Sequence, residues 1–246
     1  VDLAVRGRLL QQDASDEPAN KLLERVALEK ARLEDSGLLR KQKAGAPISF
    51  EEKRFDLPSG WAWVRLADVA FSQAGFAFKS SGFNQAGLGL PLIRIRDVGQ
   101  HSSGTFYEGD YREEFVVQNG DYLISMDGEF RVSPWKGAIA LLNQRVSRLI
   151  FFGPETAKKF VAEALQARLV ELQGIKAYTT VDHLSGGQIS DSVIALPPIE
   201  EQHRIVAELD ALQSEVDALR HLQSDTAAEL DTLLPAILDR AFKGKL

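Results

Sequence analysis

Four short stretches concentrate side chains able to grip a polyanion and read hydrogen-bonding edges. "FKSSGF" (78–83) offers Lys79, Ser80 and Ser81 in a glycine-bounded loop. "PLIRIRDV" (91–98) carries Arg94 and Arg96 two residues apart. "GEFRVSPWKG" (128–137) sets Arg131 and Lys136 around an aromatic side chain. "NQRVSR" (143–148) holds Asn143, Gln144, Arg145 and Arg148. Lys, Arg and small hydroxyls suit phosphate oxygens, whereas Arg suits a guanine edge and Asn or Gln an adenine edge. Residue type does not rank base readers against phosphate anchors here. Each arginine also fits an ordinary solvated surface charge, and Asn143 a turn or strand end.

Bond-making chemistry is harder to find. "LPPI" (196–199) shares two prolines with amino-methyltransferase motifs, but lacks the preceding Asp or Asn and the following aromatic that would grip and stack a base. "EEK" (51–53) has the Glu-x-Lys spacing of many metal-dependent nucleases, yet sits in a charged, loop-like stretch. The carboxylates of "MDGE" (126–129) are accounted for by Asp-Gly turn chemistry. The four histidines, at 101, 183, 203 and 221, form no pair at metal-ligand spacing. With no cysteine, disulfides, thiolate zinc sites and thiol nucleophiles are excluded. Neither a phosphate-binding P-loop nor a dinucleotide fingerprint occurs. These residues therefore give no catalytic signature and no metal site.

Those clusters need a folded support, and 246 residues at 44% hydrophobic content supply one. No run approaches the ~18 apolar residues of a membrane span, and the charged start lacks the apolar core of a signal peptide. Cytoplasmic location is expected. The first residue is valine, as a processed or truncated start would leave. Net charge is −6, unevenly placed. Residues 1–49 hold 9 basic and 8 acidic groups, 50–150 hold 11 and 12, and 151–246 hold 9 and 15. The near-neutral middle has room for a local basic face.

The patterning predicts an N-terminal helix over 16–37, with Asp16 as N-cap, Pro18 in the first turn and Gly37 past the end. "RKQKAGAP" (40–47) reads as a basic, flexible connector. "DLPSGWAWVRLADV" (56–69) opens a compact domain. Within it, 91–98 alternates as a half-buried strand, and 115–126 reads as a hairpin turning at Asn119-Gly120. Residues 137–152 hold one or two strands, 154–174 a helix starting near Pro154 with Phe160, Ala164, Leu165 and Leu169 on one face, and 192–198 a last short strand. From 199 onward Ile205, Leu209, Leu212, Val216 and Leu219 are spaced 4, 3, 4, 3, the seam of a coiled coil. The seam passes through polar Gln223 and Thr226 and recovers at Leu230, Leu233 and Ile237. Such a helix, on the order of 50 Å long, calls for a partner helix along its length or lies solvated on its own domain.

One more pattern is internal. "VDLAVRGRL" (1–9) and "LDRAFKGKL" (238–246) share Asp, Ala, Gly and Leu in place and exchange Lys with Arg twice. Together with "LPPIEEQHRIVAELDAL" (196–212), "LLPAILDRAFKGKL" (233–246), "VRGRLLQQDASDEPANKLLERVALEKARL" (5–33), "DLPSGWAWVRLADVA" (56–70) and "QNGDYLISMDG" (118–128), it resembles the specificity subunits of type I restriction–modification systems. The resemblance covers nearly the whole chain. It is least specific in the middle, where recognition domains differ with their targets.

The resemblance implies an α+β chain divided as the tail of a preceding spacer helix (1–15), an N-terminal helix and basic linker (16–49), a strand-rich target recognition domain (50–196) and a long coiled-coil-type spacer helix (197–246). It departs from the family by lacking a first recognition domain, so the chain is either a fragment or a half-subunit that pairs with itself. The implied role is a non-catalytic, sequence-specific reader of a bipartite target in double-stranded DNA, with no metal or cofactor of its own. The implied partners are methyltransferase subunits, restriction (motor–nuclease) subunits and, for a half-subunit, a second copy. S-adenosylmethionine, ATP and magnesium would belong to those partners. The helix interface would use Ile205, Leu209, Leu212, Val216, Leu219, Leu230 and Leu233. Two other readings stay open: the recognition end of a fused type II restriction–methylation enzyme, and a coiled-coil protein-interaction scaffold.

Overall fold

The computed structural model describes residues 1–42, 45–153, 157–176 and 183–244. Pro154, Lys43 and the last two residues of the C-terminal repeat lie outside them. The chain divides into two compact units, Val1–His203 and Arg204–Leu246.

In chain order the elements are α1 (Asp2–Val5), α2 (Ala19–Asp35), β1 (Ala62–Arg65), α3 (Leu66–Val69), β2 (Ala70–Ala74), β3 (Phe83–Asn84), β4 (Leu90–Ile93), β5 (Phe106–Tyr107), β6 (Val116–Val117), β7 (Tyr122–Ser125), β8 (Val132–Pro134), β9 (Ala140–Leu142), β10 (Val146–Phe151), α4 (Lys158–Lys176), α5 (Gly186–Ser190), β11 (Val193–Leu196) and α6 (Ile199–Phe242). Sequence and structure agree on an α+β chain ending in a long helix.

Among the described residues, three sheets build the first unit, ordered β1-β11, β2-β10-β7-β8 and β3-β5-β4-β9-β6. The uninterrupted apolar run of β9 makes it a central strand, parallel to β4 and antiparallel to β6. Its three side chains are fully buried among Leu92, Ile93, Trp135 and Val146. Helix α4 packs on β11 and β8. As the sequence pattern requires, it buries Phe160, Ala164, Leu165 and Leu169, and Val161 with them.

Three turns of the sequence meet at Trp61. Its indole Nε1 donates to Glu201 Oε2 (2.8 Å), in the first turn of α6, and to Gln12 Oε1 (3.0 Å). Gln12 Nε2 in turn donates to Glu201 Oε1 (2.7 Å). Gly7, at φ +67°, lies so close that a Cβ there would stand 2.4 Å from Pro58 Cγ. "VRGRL", "PSGW" and "IEEQ" are therefore three parts of one buried junction. Both glycines of the repeat, Gly7 (φ +67°) and Gly244 (φ +64°), adopt the left-handed conformation that closes a helix.

Several sequence expectations are corrected. Helix α2 begins at Ala19, with Pro18 rather than Asp16 in the capping position. Helix α1 occupies only Asp2–Val5 of the expected spacer tail. The 91–98 stretch is not one strand: Asp97 Oδ2 accepts the Arg94 backbone N–H (2.9 Å), and β4 stops at Ile93 before a 3₁₀ turn over Ile95–Asp97. A period of two cannot separate a strand from a strand followed by a tight turn. Nor is 115–126 a hairpin. Gly120 does turn the chain (φ +91°), but β6 pairs with β9 while β7 pairs with β10 and β8. The turn carries the chain from one sheet to another. The connector is pinned at its far end, where Arg65 Nε donates to the Ala46 carbonyl (2.7 Å).

In the second unit α6 continues as regular helix. At ~1.5 Å per residue, its 44 residues reach about 66 Å, longer than the expected 50 Å. Pro235 sits inside it, a position that forfeits one backbone hydrogen bond. Leu212, Val216, Leu219, Leu230, Leu233 and Ile237 are each 41–60% exposed. Ile205 is buried, unlike the rest of the expected seam, so the face open to a partner begins at half-buried Leu209.

Candidate nucleic-acid interface

Between β9 and β10 the chain turns a corner through Asn143, Gln144 and Arg145, passing from one large sheet to the other. Both sides of the corner are fixed. Gln144 N–H donates to the Phe76 carbonyl (2.8 Å), and Phe76 N–H to the Leu142 carbonyl (3.0 Å). Gly75 is required there, because a Cβ would lie 2.1 Å from the Asn143 carbonyl oxygen. On the other side, Met126 N–H donates to the Arg145 carbonyl (3.0 Å). Arg145 is at φ +70°, the one non-glycine residue with positive φ among the described residues. That conformation is unfavourable for an L side chain and persists only where surrounding bonds impose it.

Facing the corner is the 3₁₀ turn that carries Arg94 and Arg96. The two segments enclose an open concavity of about 320 Å³ lined by Arg94, Ile95, Arg96, Asn143, Gln144 and Arg145. Five of the side chains expected from sequence to meet DNA are thus brought together. Asn143 is buried, its Oδ1 accepting the Gln144 backbone N–H (2.9 Å), while Gln144 and Arg145 are exposed. Among the described residues, Arg96 Nη2 reaches only the neutral Thr105 hydroxyl (3.4 Å). Among the described residues neither Arg94 nor Arg96 is ion-paired.

Arg145 is paired. Its Nη1 donates to Asp127 Oδ2 (2.9 Å), and the other Asp127 oxygen lies 2.6 Å from His183 Nδ1. Burial pushes the Asp127 carboxyl up, but the hydrogen bonds from His183 and Arg145 and the Arg145 charge outweigh it and hold the group below its ordinary value. Asp127 therefore stays a carboxylate under ordinary conditions.

The remaining candidates lie elsewhere. Arg131 pairs with Glu129 (2.9 Å) and packs against Gly99, in the loop that follows the Arg94–Asp97 turn. Lys136 is exposed. Lys79, Ser80 and Ser81 are exposed around a separate 3₁₀ turn, with none of them lining the concavity. Arg148 does not face outward. Its guanidinium donates to Gln73 Oε1 (2.7 Å), the Val116 carbonyl (2.5 Å), Asp121 Oδ2 (3.2 Å) and the Glu114 carbonyl (2.9 Å). It is a staple between sheets. Glu52 of the Glu-x-Lys stretch is likewise taken up, its carboxyl held low by hydrogen bonds from Arg65. Among the described residues no cluster of three acidic or histidine side chains could hold a metal ion. No helix among them is long and apolar enough to cross a membrane.

Residues 58–225 match the family described as the type I restriction modification DNA specificity domain. The chain belongs to that family. It is 36% identical over 186 residues to the type I restriction enzyme EcoBI specificity subunit of Escherichia coli, covering 76% of this chain and 39% of the relative. To the EcoAI specificity subunit of the same organism it is 32% identical over 259 aligned positions, covering 98% and 43%. The crystal structure of the HsdS subunit from Thermoanaerobacter tengcongensis superposes with a TM-score of 0.59 at 29% identity, over 92% of this chain and 56% of that one. The chain thus spans less than half the length of these curated relatives.

For this specificity domain the matched region begins at Pro58, in the turn that presents Trp61, and ends at Asp225, well along α6. Sequence reasoning missed Asp127 and His183. Asp127 lies 18 residues from Arg145 and 56 from His183, so no local spacing reports either contact. "MDGE" did signal a turn, and Gly128 (φ +68°) makes one; the carboxylate's second task was invisible.

Proposed function

We propose that this chain is a DNA-recognition element of a type I restriction–modification complex, reading one part of a bipartite target in double-stranded DNA and itself catalysing nothing. The observation that carries this reading is the concavity at the β9–β10 corner, where Arg94, Arg96, Gln144 and Arg145 converge on rigid backbone. Guanidinium forks and carboxamides are the groups that bind phosphates and discriminate base edges. Lys79, Ser80, Ser81, Arg131 and Lys136 serve as outlying phosphate contacts. The curated relatives are specificity subunits of restriction enzymes, which supports placing reaction chemistry on other chains. Methyltransferase subunits would bring S-adenosylmethionine, and restriction subunits ATP and magnesium.

Helix α6 acts as the spacer. Its exposed seam takes a helical partner, from a methyltransferase subunit, a second spacer or a second copy of the chain. A rod of about 66 Å matches about 19 base-pair steps at ~3.4 Å each, enough to separate two readers by more than one turn of duplex. A protein-interaction scaffold would use the same seam but has no need of the arginine-lined concavity.

The test is to map methylated bases in DNA from cells carrying this protein with its methyltransferase. A two-part motif with a fixed gap is expected, palindromic for a self-paired half-subunit and asymmetric for part of a two-domain subunit. Methylation without sequence preference would refute the reading.

A further inference from the structure

We infer that Asp127 is a positioning residue that presents Arg145 to the major-groove edge of a guanine. This deepens the recognition reading above and rests on it. Three observations converge. First, Arg145 holds a left-handed backbone (φ +70°) in which glycine would be easier, at the tip of a corner hydrogen-bonded on both sides. Second, one short segment controls both its backbone and its side chain: Met126 N–H holds the Arg145 carbonyl, and the next residue, Asp127, holds Nη1. Third, Asp127 is itself fixed through its other oxygen by His183, while the Arg145 side chain remains 63% exposed.

A guanidinium is a planar fork with five donors. Tethering Nη1 to a carboxylate fixes the plane and leaves the Nε–Nη2 edge as a second, parallel pair of donors. Guanine O6 and N7 are two acceptors at matching spacing in the major groove. An arginine on a flexible stem would have to be ordered on binding. Here the ordering is already built into the free protein, which sharpens discrimination more than it adds charge. Arg94 and Arg96, without such tethers among the described residues, are left to phosphates.

The chain, copurified with its methyltransferase, is incubated with a pool of randomised duplexes, and bound sequences are compared among variants. Wild type is expected to enrich a motif with a G·C pair at one position. R145A should lose preference there by about 5- to 100-fold. D127A should lose on the order of tenfold at the same position only, and the D127A/R145A double variant should lose no more than R145A alone. R145K keeps the charge and should lose the position while retaining general affinity. R145G serves as the folding control: it should unfold at the same temperature as wild type or higher, because glycine suits the left-handed backbone. A wild-type complex that enriches nothing refutes the recognition reading and this inference together. An enriched motif left unchanged by D127A, or one in which R145A affects no G·C pair, refutes the inference alone.

Discussion

At the β9–β10 corner, exposed Gln144 and Arg145 stand on backbone that is hydrogen-bonded from both sides. Along α6 beyond Leu209, exposed leucines, Val216 and Ile237 stand on regular helix with their apolar side chains exposed. The corner is already organised by those hydrogen bonds. The helix is organised as backbone but not as surface, since a heptad seam is stable only when knobs from another helix fill it. In the proposed function, recognition and assembly would therefore be separable, resting on different physics. The first rests on polar preorganisation, the second on unsatisfied apolar area.

Two arginines three residues apart sharpen the same contrast. Arg145 offers most of its guanidinium outward, whereas Arg148 gives each nitrogen to Gln73, Asp121 and the carbonyls of Glu114 and Val116. The pleat of β10 and its pairing with β2 and β7 turn Arg148 toward the β6–β7 crossing.

The largest effect is expected on the helix. Replacing Leu212 and Leu219 with Glu puts charge where a partner would bury apolar side chains, and should weaken assembly with methyltransferase by about 4 kcal/mol or more. Both side chains are exposed in the free chain, so its thermal unfolding should not change. Unaltered complexes on a sizing column would break the comparison. Next in size, Arg148→Ala strands a partly buried carboxylate and two carbonyls, and should destabilise the chain by about 3 kcal/mol in urea unfolding. Destabilisation below about 1 kcal/mol, or a base-specific loss in DNA binding, would move Arg148 from staple to reader.

Much of this was legible in the sequence, and the reasons differ by element. Helix α4, the apolar run of β11 and the seam of α6 follow from periodicity, which is local. The arginine, Asn and Gln stretches could be picked by residue type. Their grouping could not, because Arg94 and Arg145 meet only through the β4–β9 pairing. The hairpin reading at Asn119-Gly120 failed although the turn exists, since strand partners are chosen by tertiary packing. Asp127 was hidden for a related reason: Asp-Gly turn chemistry is local, whereas its contacts with Arg145 and His183 are not.

The most direct test of a reading corner is the salt dependence of duplex binding by the complex, with Arg94 and Arg96 both changed to Ala. If the concavity holds DNA, affinity should fall by about 1 kcal/mol or more, and the slope of log K against log salt should become shallower by about 2. An unchanged slope and affinity would place the DNA elsewhere and contradict the account.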